Sequence, residues 1–213
     1  MRKTELANGE YYHIYNRGVD KREIFLDGNY YFRFLKDIKE FNNNLTREER
    51  LRASELNSES ELSSDEPEKL VNVVCYCLNP NHYHFILQQL TDNGIEKFMH
   101  KLSTGYTNYF NQKNERSGAL FQGRYKSIHI NSNEYLLYLS AYVNLNSEIH
   151  KIAKASDYKW CSFPDYIGKR NRVLCNKEII LGQFKDLEEY KKYAKINAEE
   201  MRKKKEMEKL LLE

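Results

Sequence analysis

The chain has 213 residues, of which 40% are hydrophobic and 31% charged, and its formal net charge is +3. That length suits one domain with appendages, and the polar composition leaves part of it outside a core. No apolar run approaches the ~18 residues of a membrane span, and nothing apolar follows the basic residues of "MRKTELANGEYY", so neither a membrane helix nor a secretory signal is expected.

The first element, "EYYHIYNRG" (10–18), is aromatic-rich and reads as a strand ending at the Asn-Arg-Gly turn. "DGNYYFRFLKDIKEFNNNL" (27–45) follows as a helix with Asp27 as cap, its Tyr31, Phe34, Leu35, Ile38 and Phe41 at helical spacing. Residues 45–70 hold eight acids and four bases, with a Ser-rich stretch that reads as a flexible insertion. Because this insertion is acidic, the rest of the chain is more basic than the net charge suggests, which points toward a polyanionic partner. "LVNVVCYCL" (70–78) alternates as a strand, "NPN" turns, and "HYHFILQQL" returns antiparallel to it. A helix over 92–114, a strand over 123–130 and a helix over 131–151 capped by Asn or Ser complete the body. The order β-α-β-β-α-β-α predicts an α+β domain, an antiparallel sheet backed by helices. The expected organisation is a domain over 1–184, interrupted at about 45–70, then a charged C-terminal helix over 185–213. The cysteines Cys75, Cys77, Cys161 and Cys175 lack the paired spacing of a zinc site and read as reduced thiols.

His82 and His84 stand two apart on a strand, so both rings lean to one face, as metal ligands must. Tyr142 and Asn146 stand four apart on a helix and share a face. Brought to the histidines, a phenol and an amide oxygen would complete a phosphoryl-transfer site. There the ion polarises a scissile phosphate and the phenol attacks it. Spacing alone leaves other readings open. Tyr135, Tyr138 and Tyr142 form a stripe that core packing would also explain, and Tyr106 and Tyr109 are comparable candidate nucleophiles.

The blocks "YYHIYNRGVDKREIF", "VVCYCLNPNHYHFIL", "YTNYFNQKNERSGALFQGRYKS", "EYLLYLSAYVNLN" and "YKWCSFPDY" occur in the order seen in REP-associated tyrosine transposases, and the chain resembles that family. These are single-tyrosine transposases of the HUH endonuclease superfamily, and the resemblance spans roughly residues 10–167. It implies a ferredoxin-like antiparallel sheet with the histidines on a central strand, followed here by the C-terminal helical extension. It implies His82, His84 and Asn146 as metal ligands and Tyr142 as nucleophile, "YVNLN" matching the family's Tyr-Ile-x-x-Asn-Pro with Ser147 in place of the proline. The cofactor implied is Mg²⁺ or Mn²⁺, of which manganese better matches two imidazoles. The activity implied is a metal-dependent single-stranded DNA endonuclease and strand transferase acting at hairpin DNA through a 5′-phosphotyrosine. The alternatives are a domesticated hairpin-binding protein that does not cleave, and a phosphodiesterase whose nucleophile is water. Arg17, Arg116, Arg124 and Lys126, set among Phe121 and Tyr125, are the candidate DNA contacts, with Arg22 behind them. A homodimer and a bacterial cytoplasmic, nucleoid-associated location complete the expectations.

Overall fold

The computed structural model describes residues 5–46, 48–50, 52 and 67–210, so most of the acidic insertion expected over 45–70 lies outside the described residues. Four strands form one sheet: β1 (Tyr11–Arg17), β2 (Val71–Asn79), β3 (His82–Gln89) and β4 (Lys126–Ile130), in the order β2-β3-β1-β4 with every neighbour antiparallel. With α1 (Gly28–Glu40) between β1 and β2 and α2 (Gly94–Lys113) between β3 and β4, this is the β-α-β-β-α-β order of a ferredoxin-like sheet, and the fold is α+β as expected.

Alternation divides the sheet into two faces. Tyr12 and Ile14 of β1 and Tyr83, Phe85 and Leu87 of β3 point to one side, where Phe34 and Ile38 of α1 and Phe98, Leu102 and Tyr106 of α2 cover them. His13, Tyr15, His84, Ile86, Cys75 and Cys77 take the other side, beneath α3 (Asn133–Asn144). A bulge at Val74 shifts the register of β2, and the Tyr166 hydroxyl donates to the displaced Val74 carbonyl at 2.8 Å. Gly18 ends β1 where the chain passes so close to itself that a Cβ would collide with the Arg22 carbonyl oxygen. The Asp27 carboxylate caps α1 by accepting from Asn29 N at 2.7 Å, and Ser132 Oγ caps α3 by accepting from Tyr135 N at 3.2 Å.

The helix expected over 131–151 is broken. It stops at Asn144, Leu145 takes φ −101° and ψ 14°, and a short helix α4 (Asn146–Ile149) resumes beyond it. Two further short helices, α5 (Phe163–Tyr166) and α6 (Glu178–Leu181), lead to α7 (Leu187–Leu210). Although α7 is charged over most of its length, Tyr190, Ala194, Ala198 and Met201 form a buried stripe against α3 and α4. Asn144 ties these layers together inside the protein: its Oδ1 accepts from Ser162 Oγ at 2.6 Å and its Nδ2 donates to the Tyr190 hydroxyl at 2.7 Å. Ser162 Oγ in turn accepts from Tyr76 N of β2 at 2.8 Å. A buried polar network with its members paired fixes one orientation of the helix end over the sheet.

Candidate active site

Strand register alone assembles most of the site. Tyr15 lies opposite both His84 and Lys126, while Arg17 and Asn79 both lie opposite His82. Side chains of paired residues share a face, so Lys126, Tyr15 and His84 form one row across the sheet, and Arg17, His82 and Asn79 form the next. The His82 and His84 rings stand perpendicular with centroids 5.2 Å apart, a separation at which both imidazoles can reach one ion at ~2.1 Å ligand distances.

Helix α3 lays Tyr142 over this face. Its ring meets the faces of His84 and His13 edge-on, at centroid distances of 5.5 and 6.0 Å. The side chain is half-buried rather than sealed, whereas Leu136, Leu139 and Val143 of the same helix carry the core contacts. The stripe of Tyr135, Tyr138 and Tyr142 is therefore not the core face of the helix; Tyr138 is exposed. Burial raises the Tyr142 phenol above its ordinary pKa, and the neighbouring Asn146 side chain pulls it back down. Tyr106 is fully buried in the opposite layer, where its hydroxyl donates to the Ile24 carbonyl at 2.5 Å, and burial raises its pKa well beyond the ordinary range. Tyr109 packs beside it, with Lys113 donating to its hydroxyl at 3.3 Å. Neither stands on the histidine face.

The polar contacts around the histidines fix their protonation. Asn81 Oδ1 can only accept, so at 2.7 Å it takes the proton of His82 Nδ1. His82 Nε2 is then an acceptor and receives Asn79 Nδ2–H at 2.8 Å. The same Asn79 Nδ2 donates to Asn146 Oδ1 at 2.6 Å. Two lone pairs, from His82 and from Asn146, thus converge on one amide nitrogen, and Asn146 Nδ2 lies buried without a hydrogen-bond acceptor in good alignment. His84 Nδ1 is 2.9 Å from His13 Nε2, and burial lowers the His13 pKa to about 4, which keeps that ring neutral. His150 lies near His82, the ring centroids 5.1 Å apart.

Among the described residues no group of three or more His, Cys, Asp or Glu side chains is arranged to hold a metal ion. A cation at this place could take an amide oxygen into its ligand set. The convergence of His82 Nε2 and Asn146 Oδ1 fits that arrangement, with the His84 ring alongside.

The candidate DNA contacts divide. Arg17, Arg124 and Lys126 are exposed at the β1–β4 side of the histidine face, and Lys126 Nζ lies 6.0 Å above the Tyr15 ring. Arg17 Nε donates to Gln122 Oε1 at 2.5 Å. Arg116 is occupied in holding its own loop, donating to Asn111 Oδ1 at 2.5 Å and to the Ala119 carbonyl at 3.1 Å. One member of the site, Asn79, escaped the reading of the sequence. Asn79 was absorbed into the "NPN" turn. His13, which its place on the neighbouring strand offers either as a residue near the site or as a hydrogen-bonded sheet histidine, is both: antiparallel pairing sets it diagonal to His84 on the same face, at hydrogen-bond distance.

A ferredoxin-like sheet with paired histidines beneath a tyrosine-bearing helix is the arrangement implied by the transposase resemblance, and comparison with known proteins supports the fold. Residues 61–146 match the family described as transposase, IS200 like, a stretch that contains His82, His84, Tyr142 and Asn146. In structure, the chain is similar to a REP-associated tyrosine transposase solved bound to a REP hairpin, with a TM-score of 0.54 and 12% identity over 79% of this chain and 86% of that one. At that identity the likeness shows the fold. No curated protein matches the chain. Among the described residues no helix is long and apolar enough to cross a membrane.

Proposed function

We propose that this protein is a metal-dependent single-stranded DNA endonuclease and strand transferase that acts at hairpin DNA through a 5′-phosphotyrosine on Tyr142. The observation that carries the reading is the meeting, on one sheet face, of His82 and His84 from β3 with Tyr142 and Asn146 from the distant α3–α4 segment.

His82, His84 and Asn146 would hold a divalent ion, Mg²⁺ or Mn²⁺, which when bound polarises the scissile phosphate and neutralises its charge. The chain's own residues prepare that site. His13 Nε2 lies 2.9 Å from His84 Nδ1, and with the proton on Nδ1 the far nitrogen of His84 would be the ligand; Asn81 does the same for His82. Tyr142, whose phenol burial holds above its ordinary pKa, loses its proton as it attacks. The phenolic oxygen forms a bond to phosphorus, the bond from phosphorus to the 3′ oxygen breaks, and that oxygen leaves as a hydroxyl. The tyrosyl ester keeps the energy of the phosphodiester, so the reverse attack by a 3′-hydroxyl rejoins strands. Arg17, Arg124 and Lys126 lie beside the reacting face, where cations can grip phosphates while Tyr15 offers a ring to an unpaired base. The hairpin named in the solved relative supports the choice of substrate.

The test incubates the protein with Mn²⁺ and an end-labelled single-stranded hairpin oligonucleotide and resolves covalent adducts on a denaturing gel. An adduct that disappears with Tyr142→Phe is the expected result. An adduct that persists in that variant overturns the assignment of Tyr142. Hairpin binding with no adduct at any metal concentration identifies a non-cleaving binder, and free ends without trapped protein identify water as the nucleophile.

A further inference from the structure

Asn79 ends β2, directly across the hairpin from His82, and is fully buried. Both protons of its amide are committed, one to His82 Nε2 and one to Asn146 Oδ1, while its Oδ1 accepts from the Cys77 thiol at 3.5 Å. In this orientation one NH₂ group serves both acceptors. The Nδ2 atom therefore occupies the point at which two of the proposed ligands converge. A positive, donor-only group stands there in the metal-free protein.

We propose that Asn79 is a positioning residue that sets the metal affinity of the site, its amide holding His82 and Asn146 aligned in the absence of a cation and competing with the cation for the same two lone pairs. The proposal rests on the reading of His82 and Asn146 as ligands. It follows from the energetics of buried acceptors. With Asn79 present, a cation must break two satisfied hydrogen bonds to bind. Without it, the fully buried Asn146 Oδ1 loses the donor that satisfies it, a condition that destabilises the metal-free protein and that the cation relieves. The residue thus trades stability of the empty protein against affinity for the ion, and makes occupancy responsive to the free metal concentration.

The experiment measures Mn²⁺ binding by electron paramagnetic resonance at pH 8 for the wild-type protein and for Asn79→Leu, which keeps the volume but cannot donate. The variant should bind Mn²⁺ about tenfold more tightly or better, while its metal-free form unfolds at lower temperature. Unchanged or weaker binding by a folded variant overturns the proposal. A second measurement needs no substitution: Mg²⁺ is titrated into ¹⁵N-labelled wild-type protein while the Asn79 side-chain NH₂ and the His82 ring nitrogens are followed by NMR. Both should move together, the NH₂ protons losing their hydrogen-bonded shift. If the His82 nitrogens respond and the Asn79 amide does not, Asn79 plays no part in affinity. If neither responds and no Mn²⁺ binds, it is the metal reading itself that fails.

Discussion

Asn144 should be worth far more to this protein than one polar side chain usually is, because it joins three layers. Replacing it by alanine removes the 2.6 Å bond from Ser162 and the 2.7 Å bond to Tyr190. Two net hydrogen bonds account for about 1–3 kcal/mol, and the orphaned partners add to that. Relief is partial: Ser162 Oγ keeps the Tyr76 carbonyl at 3.1 Å, and Tyr190 keeps a 3.4 Å contact with Ser140. A total of about 3 kcal/mol is expected, read from urea unfolding with an unchanged slope. Ser162→Ala removes the same link from the other end, so the double variant should lose about 1–2 kcal/mol less than the sum of the singles. Tyr142 and Asn146 flank Asn144, so adduct formation in Asn144→Ala should fall more than tenfold while hairpin affinity changes little. A loss below about 1 kcal/mol, with no coupling to Ser162, would refute the argument that this network sets the helix over the sheet.

Other substitutions probe separate parts of the reasoning. Lys126→Ala and Arg17→Ala should each weaken hairpin binding across sequences and reduce the slope of log affinity against log salt by about 0.7–0.9, measured by fluorescence anisotropy. Arg116→Ala should leave that slope unchanged, since the side chain serves its own loop. Asp165→Ala should cost about 3–5 kcal/mol in thermal unfolding, because the buried carboxylate pairs with Arg170 through two bonds of 2.9 and 2.6 Å and its removal takes away the counter-charge, leaving the guanidinium on the Lys159 and Cys161 carbonyls. Asp37 lies 2.8 Å from Arg33 but poorly aligned for a hydrogen bond, and burial raises its pKa from 3.8 to about 6. A carboxyl that holds its proton more tightly when folded favours the fold below pH 3.8, and that advantage is lost as pH rises through about 6. Asp37→Asn should therefore flatten stability against pH across that window by roughly 2 kcal/mol, after allowing for solvent screening at the partly exposed Arg33.

Most of the framework was legible because each element obeys its own period. The alternation of "VNVVCYCLN" and "HYHFILQQ" sets two sheet faces, and Phe34, Leu35 and Ile38 mark the buried side of α1. What stayed hidden depends on contacts between distant segments. The break at Leu145 leaves no local trace, because neither glycine nor proline marks it. The buried stripe of α7 runs through Ala194 and Ala198, whose small side chains give little hydrophobic signal among so many lysines and glutamates. Asn79 looked like turn chemistry because asparagine favours turns, and only the placement of Asn146 beside it reveals a second use.

The docking of α7 on α3 has a consequence for the order of synthesis. The bond from Asn144 to Tyr190 closes a span of 46 residues, and Ala194, Ala198 and Met201 complete the layer still later. A nascent chain that has just exposed Tyr142 to solvent lacks the surface that holds α3 down, although β1, β2 and β3 can already pair. A polypeptide interrupted before the final helix would be a sheet with its histidines in place and its phenol unanchored. On the proposed function, such an unfinished molecule would hold DNA before it could cut it.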